Sequence, residues 1–283
     1  MSQDVDDGPW AVGDGLHVQA FDAVPLPHRP GKPRLRGLTY VRDMGLSVGE
    51  LEQRLIANGD AVDIVKLAGV SPRLQTREAV ASKIEMCRRY DVEVGLGGPL
   101  LELALLDGPR TVESFLGQAA DLGIATIEVC RHFISLPDRE YFATVAAVRE
   151  RGIRPLPEIG VAYGINEEVE VSVHVDRLIT TMQRSLDAGA WKVLLESEGI
   201  TESRHRSQYR LDIPLSVASA IDLDQLMFEA DDPEVWNWYI GEFGHDVNLF
   251  VDVSRVSELE ASRLGGWAQP LDVVRRIAVF DPR

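Results

Sequence analysis

Short apolar segments alternate with longer amphipathic segments from about residue 34 to about residue 265. An apolar segment of about four to eight residues, bounded by turn residues, is typical of a β-strand buried on both faces. We predict eight such strands: Leu35–Val41, Ala61–Leu67, Val92–Gly95, Thr126–Cys130, Arg154–Ile159, Trp191–Glu196, Leu226–Glu229 and Val247–Val251.

Segments with helical periodicity separate these strands. The predicted helices are Val48–Asn58, Thr76–Tyr90, Thr111–Leu122, Pro137–Arg151, Val173–Ala188, Pro233–Phe243 and Val256–Leu264. Ser47 is suited to cap the first helix at its N-terminus. Gly59, Gly123, Gly152 and Gly189 stand where a left-handed C-terminal cap is needed.

The alternation of strand and helix predicts a (β/α)8 barrel, the TIM-barrel fold. The alternative is a doubly wound open sheet, which usually has a glycine-rich dinucleotide-binding turn after its first strand. The segment Gly95-Leu-Gly-Gly98 follows the third strand, and Leu100 stands where the last glycine of a GxGxxG motif would be. We therefore favour the barrel.

The first 33 residues differ from the rest of the chain. They contain Asp4, Asp6 and Asp7 and the proline-rich segment 25–33. Proline at this density supports neither a helix nor a central strand. We predict an extended N-terminal arm over residues 1–33 and one barrel domain over residues 34–283.

Composition limits the classes of function. The chain has 283 residues, of which 45% are hydrophobic, and its 29 Lys and Arg against 45 Asp and Glu give a net charge of −16. This charge disfavours binding to nucleic acid or to a membrane surface. No apolar run reaches the roughly 18 residues of a membrane span, and the acidic N-terminus lacks the pattern of a secretory signal. With only Cys87 and Cys130 present, we expect a reduced, cytoplasmic protein.

Four glutamates recur near the ends of strands four to seven: Glu128, Glu158, Glu196 and Glu229. The active site of a (β/α)8 barrel lies at the C-terminal ends of its strands. Each glutamate taken alone has an equally good explanation as the partner of a neighbouring Lys or Arg. Four glutamates at the same position of successive strand–helix units favour a binding site for a hard divalent cation, and Mg²⁺ is the most natural choice.

Other polar residues near strand ends are candidates for substrate contacts. Lys66 lies inside an apolar strand, where it either forms a structural salt bridge or acts on an anionic substrate. Asp43 follows strand one, and Asn248 and Asp252 belong to strand eight. We predict a catalytic role for Lys66 and substrate-binding roles for Asp43 and Asn248.

Several short motifs resemble those of the phosphosulfolactate synthase family over roughly residues 32–265. The motifs are Lys32-Pro-Arg-Leu-Arg-Gly-Leu-Thr39, Asp43-Met-Gly45, Asp63-Ile-Val-Lys-Leu67, Gly97-Gly98 with Glu102, Ile127-Glu128-Val129, Pro157-Glu158-Ile-Gly160, Leu194-Leu-Glu196, Met227-Phe-Glu-Ala230 and Asp246-Val-Asn-Leu249. The resemblance implies an oligomeric (β/α)8 barrel that adds sulfite to phosphoenolpyruvate with Mg²⁺. It further implies that Glu158 and Glu196 are metal ligands and that Lys66 holds the anion or delivers a proton.

The loops after strands two, four and six depart from the family pattern. Ala68-Gly-Val-Ser71 and Cys130-Arg-His-Phe133 replace the usual turns, and Glu198 stands where the family has an arginine. We predict that Arg131, Arg204 and Arg206 supply the positive charge for a small anionic substrate, although surface arginines in a solvated loop are the common alternative. His132 is either an acid–base residue or a surface histidine.

The predicted function is therefore an Mg²⁺-dependent lyase or synthase, expected to be a homo-oligomer, that adds sulfite or a related nucleophile to phosphoenolpyruvate or a similar enolisable acid. Two alternatives remain. One is a biosynthetic enzyme with a different, larger substrate, for which the arm forms part of the pocket or an oligomer contact. The other is a non-catalytic relative of the heat-stress-associated proteins that also belong to this family.

Overall fold

The computed structural model of the chain describes residues 29–160, 174–202 and 206–265, together with Ala20, Phe21, Ala23, Val24 and Leu26. Arg204 and most of the predicted arm over residues 1–33 lie outside the described residues, so the boundary between arm and barrel stays a prediction. For Arg206 only the backbone is described, in the short 3-10 helix Arg206–Gln208.

Eight parallel strands form a closed barrel in the order β1 to β8. The strands are β1 Thr39–Asp43, β2 Ile64–Leu67, β3 Glu93–Leu96, β4 Thr126–Val129, β5 Arg154–Ile159, β6 Val193–Leu195, β7 Leu226–Glu229 and β8 Leu249–Asp252. Strand β1 closes the barrel because it pairs with β2 on one side, through Arg42 and Lys66, and with β8 on the other, through Arg42 and Asp252. The predicted (β/α)8 fold is confirmed.

Helices follow the strands on the outside of the barrel. Those within the described residues are α1 Val48–Asn58, α2 Arg77–Arg88, α3 Pro99–Asp107, α4 Pro109–Leu122, α5 Asp138–Glu150, α6 Val175–Asp187, α7 Asp212–Ala220, α8 Pro233–Phe243 and α9 Val256–Arg263. Ser47 caps α1 as predicted and forms a capping box with Glu50. Among the described residues, no helix has the length and apolar character needed to cross a membrane.

Two helices were not predicted. Helix α7 contains Pro214, serines and a β-branched valine, which are poor helix formers, so its sequence carries little helical signal. Helix α3 follows Gly98 and is leucine-rich, without the polar face of an amphipathic helix. Gly108, with φ +119°, separates α3 from α4. The first strand was also placed too early, because Gly37, with φ +67°, interrupts any extended segment that begins at Leu35.

The side chains of each strand alternate between two apolar layers. The inner layer fills the barrel and consists of Leu38, Tyr40, Ile64, Leu156, Leu194, Met227 and Phe250. The outer layer includes Val41, Val65, Ile127 and Val129, which pack with the helices. The residues that come two positions after the inner layer therefore point into the C-terminal mouth of the barrel.

Candidate active site

Charged residues form the layer above the apolar filling of the barrel. Six of them stand two positions after an inner-layer residue, and they are Arg42, Lys66, Glu158, Glu196, Glu229 and Asp252. Glu128 of β4 lies in the same layer. Phe250 lies beneath them, with its ring centroid 4.3 Å from Lys66 Nζ. The mouth thus combines an apolar floor with a rim of carboxylates and two described cations.

Lys66 is the buried cation of this layer, and it is 7% exposed. Its Nζ lies 2.8 Å from a carboxylate oxygen of Glu128 and 3.8 Å from one of Glu158. Burial alone would lower the pKa of Lys66, but Glu128, Glu158 and Glu229 raise it above its ordinary value. The ammonium group therefore keeps its proton at neutral pH.

Glu128 is held by the protein itself. Besides Lys66, Tyr40 Oη donates to it at 3.1 Å and the Gly98 backbone N–H donates at 3.3 Å. Burial and the charge of Glu158 raise the pKa of Glu128 to about 7, although Lys66 opposes this shift. With its oxygens used in this way, Glu128 does not join the carboxylate group that converges beside it.

Glu158, Glu196 and Glu229 do converge. Each offers a carboxylate oxygen that lies within 4.8 Å of those of the other two. Gly160 permits this approach, because a Cβ at that position would lie 2.6 Å from Glu196 Cβ. A side chain at residue 160 would therefore displace the Glu196 side chain from its present position at the end of β6.

Glu196 holds a proton in this cluster. Burial, and then a hydrogen bond with Glu229, raise the pKa of Glu196 to about 11. Burial opposes ionisation of Glu229, but hydrogen bonding from Glu196, together with Lys66 and Arg42, lowers the pKa of Glu229. Burial also raises the pKa of Glu158. Carboxylates this close cannot all be ionised unless a cation lies between them.

Arg42 is a residue of the mouth that the sequence interpretation missed. Its guanidinium donates to Glu229 at 2.8 Å and also contacts Asp231 and Asp252. Arg42 and Lys66 are paired neighbours on β1 and β2. Strand alternation from Tyr40 could have identified Arg42, since residues 40 and 42 face the same side.

His132 reaches the mouth from the loop between β4 and α5. Its Nδ1 lies 3.7 Å from a carboxylate oxygen of Glu158, and its side chain is 14% exposed. Burial lowers the pKa of His132 below its ordinary value, so the imidazole is uncharged at neutral pH. Cys130, His132 and Glu158 offer a second group of ligand atoms within 4.8 Å of one another.

The structure does not bring Asp43 or Asn248 to the mouth. Asp43 is fully buried on the outer side of β1, where its carboxylate pairs with Lys83 of α2 at 2.7 Å and accepts the backbone N–H of Gly45 and Leu46. Asn248 precedes β8 at the opposite end of the barrel, where it accepts from the Leu38 N–H at 3.0 Å. These placements do not support substrate-binding roles.

Arg131 also faces away from the mouth. Its guanidinium pairs with Asp138 at 2.7 Å, donates to the Leu136 carbonyl oxygen and lies over the Tyr141 ring. It therefore fastens the loop to the start of α5 instead of supplying charge to a substrate. Arg204 lies outside the described residues, and nothing is described of the Arg206 side chain, so both roles stay predictions.

The similarity of the chain to known proteins bears on what this site does. The model of the family described as (2R)-phospho-3-sulfolactate synthase (ComA) matches residues 27–269. The chain belongs to the phosphosulfolactate synthase family. The predicted family is confirmed, and this protein is a lyase-type enzyme with phosphosulfolactate synthase-like character.

Two relatives each match more than four fifths of the chain. The phosphosulfolactate synthase of Methanothermobacter thermautotrophicus is 28% identical over 253 residues, which cover 88% of this chain and 96% of that protein. Protein HEAT-STRESS-ASSOCIATED 32 of Arabidopsis thaliana is 28% identical over 257 residues, covering 83% of this chain and 88% of that protein. The chain is thus similar, at the same 28% identity, to a phosphosulfolactate synthase and to a heat-stress-associated protein.

Solved structures resemble the chain in fold. The carboxyl transferase domain of Rhizobium etli pyruvate carboxylase has a TM-score of 0.59 at 12% identity; the match covers 87% of this chain and 46% of that domain's chain. This chain therefore spans about half the length of that structure. At such low identity the likeness concerns the barrel alone.

Proposed function

We propose that this phosphosulfolactate synthase-family protein adds sulfite to phosphoenolpyruvate with the help of Mg²⁺. The observation that carries the proposal is the convergence of Glu158, Glu196 and Glu229 beside the ammonium group of Lys66. This arrangement combines a place for a hard cation with a proton donor and an anchor for a small anion. The family match supports the reaction class.

The chemistry of the three glutamates fits Mg²⁺, which prefers oxygen ligands and keeps several of its waters. The raised pKa of Glu196, about 11, shows how strongly the cluster resists a full complement of negative charge. Glu158, Glu196 and Glu229 would hold the ion, and Glu196 would give up its proton on binding. When bound, Mg²⁺ supplies positive charge opposite the carboxylate of the substrate, where negative charge increases during the addition.

Lys66 is the proposed proton donor. The sulfur of sulfite forms a bond to C3 of phosphoenolpyruvate, and the electron pair of the C2=C3 bond moves onto the carboxylate group. The Lys66 ammonium then transfers a proton to C2 and is reprotonated from solvent, so that no oxidant and no leaving group are required. Its raised pKa keeps the proton on Nζ until the more basic C2 centre forms.

His132 and Arg42 have supporting roles in this proposal. The uncharged imidazole of His132 provides an N–H donor for a sulfite or phosphate oxygen at the mouth. Arg42 is held by Glu229 and Asp231, so it balances the charge of the carboxylates before the substrate arrives. A mouth this acidic would otherwise repel a small anionic substrate.

The test is to incubate the protein with phosphoenolpyruvate, sulfite and Mg²⁺ and to measure phosphosulfolactate by mass spectrometry. We expect product with Mg²⁺, none with EDTA, and none with Glu158→Gln. Glu113→Gln is the matched control, because Glu113 is an exposed glutamate on α4 that contacts Arg151. Folded protein that makes no product, although Mg²⁺ raises its melting temperature, would rule out this substrate pair and favour a different or larger enolisable acid.

The similarity to the plant protein favours a second candidate, a protective role during heat stress. The two candidates differ in their need for the carboxylate cluster. If protection does not depend on lyase chemistry, cells that produce Glu158→Gln survive heat as well as cells that produce the wild-type protein. Loss of both product formation and heat survival in this variant would instead connect the two properties.

A further inference from the structure

One buried carboxylate near the mouth takes no part in the proposed chemistry. Glu102 lies on α3 and is 1% exposed. It accepts four hydrogen bonds from the loop between β4 and α5. The donors are Cys130 Sγ at 2.8 Å and the backbone N–H groups of His132 at 3.3 Å, Phe133 at 2.9 Å and Ile134 at 3.0 Å.

These contacts compensate the carboxylate in an unusual way. Within the part of the chain that the structure describes, Glu102 forms no ion pair with Lys or Arg, so its buried charge rests on the loop N–H groups and a thiol. Hydrogen bonds to a charged group contribute more than neutral ones, and leaving such a group unsatisfied is costly. The loop backbone and Glu102 therefore hold each other in one arrangement.

The loop held in this way carries His132. Its imidazole faces Glu158, at 3.7 Å, whereas the neighbouring Phe133 side chain is 71% exposed. The arrangement also needs close contact between α3 and β4. A Cβ at Gly98, directly before α3, would lie 2.1 Å from Cys130 Sγ.

We propose that Glu102 is a positioning residue that holds the β4–α5 loop so that His132 faces the carboxylate cluster. The hydrogen bonds of Glu102 fix the loop whatever reaction the site performs. The effect of Glu102 on catalysis rests on the proposed function of His132, so loop protection and kcat are measured separately.

The first measurement needs no variant. Amide hydrogen exchange followed by NMR reports on the N–H groups of Phe133 and Ile134. We expect exchange about 10- to 100-fold slower than in an unstructured peptide, because hydrogen bonds to a buried carboxylate must open before exchange. Exchange at the unstructured rate would overturn the proposal, whether or not any variant folds.

The second measurement compares Glu102→Gln with Glu85→Gln by hydrogen exchange and mass spectrometry. A glutamine amide retains one oxygen acceptor but turns an NH2 group towards the loop donors. We expect exchange of the segment 131–135 to become about tenfold faster in Glu102→Gln. Glu85 is an exposed residue of α2 that pairs with Arg88, and its variant should match the wild-type protein. Wild-type exchange in Glu102→Gln would overturn the inference.

A double-mutant cycle distinguishes positioning from a general structural role. Glu102→Gln should lower kcat about tenfold in the wild-type background and have no further effect in a His132→Asn background. Equal losses in both backgrounds would show that Glu102 does not act through His132. If the wild-type protein makes no product but the exchange results hold, the loop inference stands and only the proposed reaction fails.

Discussion

The two ends of the barrel both bury charged side chains but compensate them differently. At the N-terminal end, the fully buried Arg263 donates to the backbone carbonyl oxygens of Leu38, His245 and Val247 at 2.5–3.3 Å. At the C-terminal mouth, carboxylate oxygens of Glu158, Glu196 and Glu229 lie within 4.8 Å of one another, and burial together with a hydrogen bond to Glu229 raises the pKa of Glu196 to about 11. At the N-terminal end Arg263 thus connects α9 to the barrel, whereas the C-terminal mouth keeps an excess of negative charge.

Buried charge by itself therefore does not distinguish the mouth from the rest of the barrel. Burying charge is unfavourable unless partners replace the lost water, and a network that is only partly satisfied destabilises the fold. Carboxylates that resist ionisation are therefore the better sign of a functional site than buried charge as such. At the N-terminal end, burial lowers the pKa of Arg263 to about 9, but its guanidinium donates its hydrogen bonds to backbone carbonyl oxygens.

The largest effect is expected at the mouth, from Lys66→Met. Loss of the proposed proton donor and of its positive charge should lower kcat about 10³- to 10⁴-fold. Stability should change little, because Glu128, with a pKa already raised to about 7, can take up a proton when Lys66 is gone. Steady-state kinetics and urea unfolding of the same preparations measure the two quantities. Activity within tenfold of wild type would reduce Lys66 to a structural residue.

At the opposite end, Arg263→Met should show the reverse pattern. The carbonyl oxygens of His245 and Val247 lose their donor and that of Leu38 keeps only the Leu249 N–H, so we expect the free energy of unfolding to fall by about 3 kcal/mol. The folded variant should retain wild-type kcat, because Arg263 lies far from the mouth in the barrel. Urea unfolding followed by circular dichroism gives the stability, and a loss of kcat in fully folded protein would contradict the contrast between the two ends.

The pH dependence of stability sharpens the comparison further. Glu196 has a folded pKa of about 11, above its ordinary value, so the folded protein holds a proton that the unfolded chain releases above about pH 4.5. Stability therefore falls as pH rises through this range, and one such proton contributes at most about 1.4 kcal/mol per pH unit. Unfolding in EDTA between pH 6 and pH 8 measures the slope.

Glu196→Gln is the control for this measurement. Glutamine can still donate a hydrogen bond to Glu229 but cannot release a proton, so the slope should become flatter by that amount. The same variant should also lose the rise in melting temperature that Mg²⁺ gives to the wild-type protein. An unchanged slope would mean that another group holds the shared proton.

The smallest effect is expected from Arg131→Gln. Its guanidinium pairs with Asp138 at the start of α5, and the Asp138 side chain is 45% exposed. We expect less than about 1 kcal/mol of stability to be lost, as for other surface ion pairs, and less than a threefold change in kcat/KM. A loss of a hundredfold or more in kcat/KM would instead show that Arg131 contributes to substrate binding.

Several features of the site followed from the sequence for a clear physical reason. Glu158, Glu196 and Glu229 occupy equivalent positions near the ends of successive strands, and a closed parallel barrel brings all such positions to one mouth. Lys66 lies in the same layer. Their meeting was predictable because it depends on strand order and side-chain alternation alone.

Other residues were assigned to the wrong position because their prediction required the exact first and last residue of a strand and the exact alternation of its side chains. Asp43 and Arg42 are neighbours, so an error of one residue exchanged an outward-facing carboxylate for the inward-facing guanidinium. Asn248 was assigned to the correct strand but lies before its first residue, at the opposite end of the barrel. Strand boundaries are set by backbone pairing with neighbours, which the sequence pattern locates only approximately.

The sequence by itself determined the class of fold, the family and the layer of strand-end charges, because these depend on periodicity and on residue types repeated once per unit. Only the tertiary structure decided which partner each charged group has. Glu128 pairs with Lys66, Arg131 pairs with Asp138, and the backbone of the His132 loop donates to Glu102. Two of these pairings, Glu128 with Lys66 and the loop of His132 with Glu102, join residues from different strand–helix units. They depend on which side chains packing brings together, and local sequence carries no record of that choice.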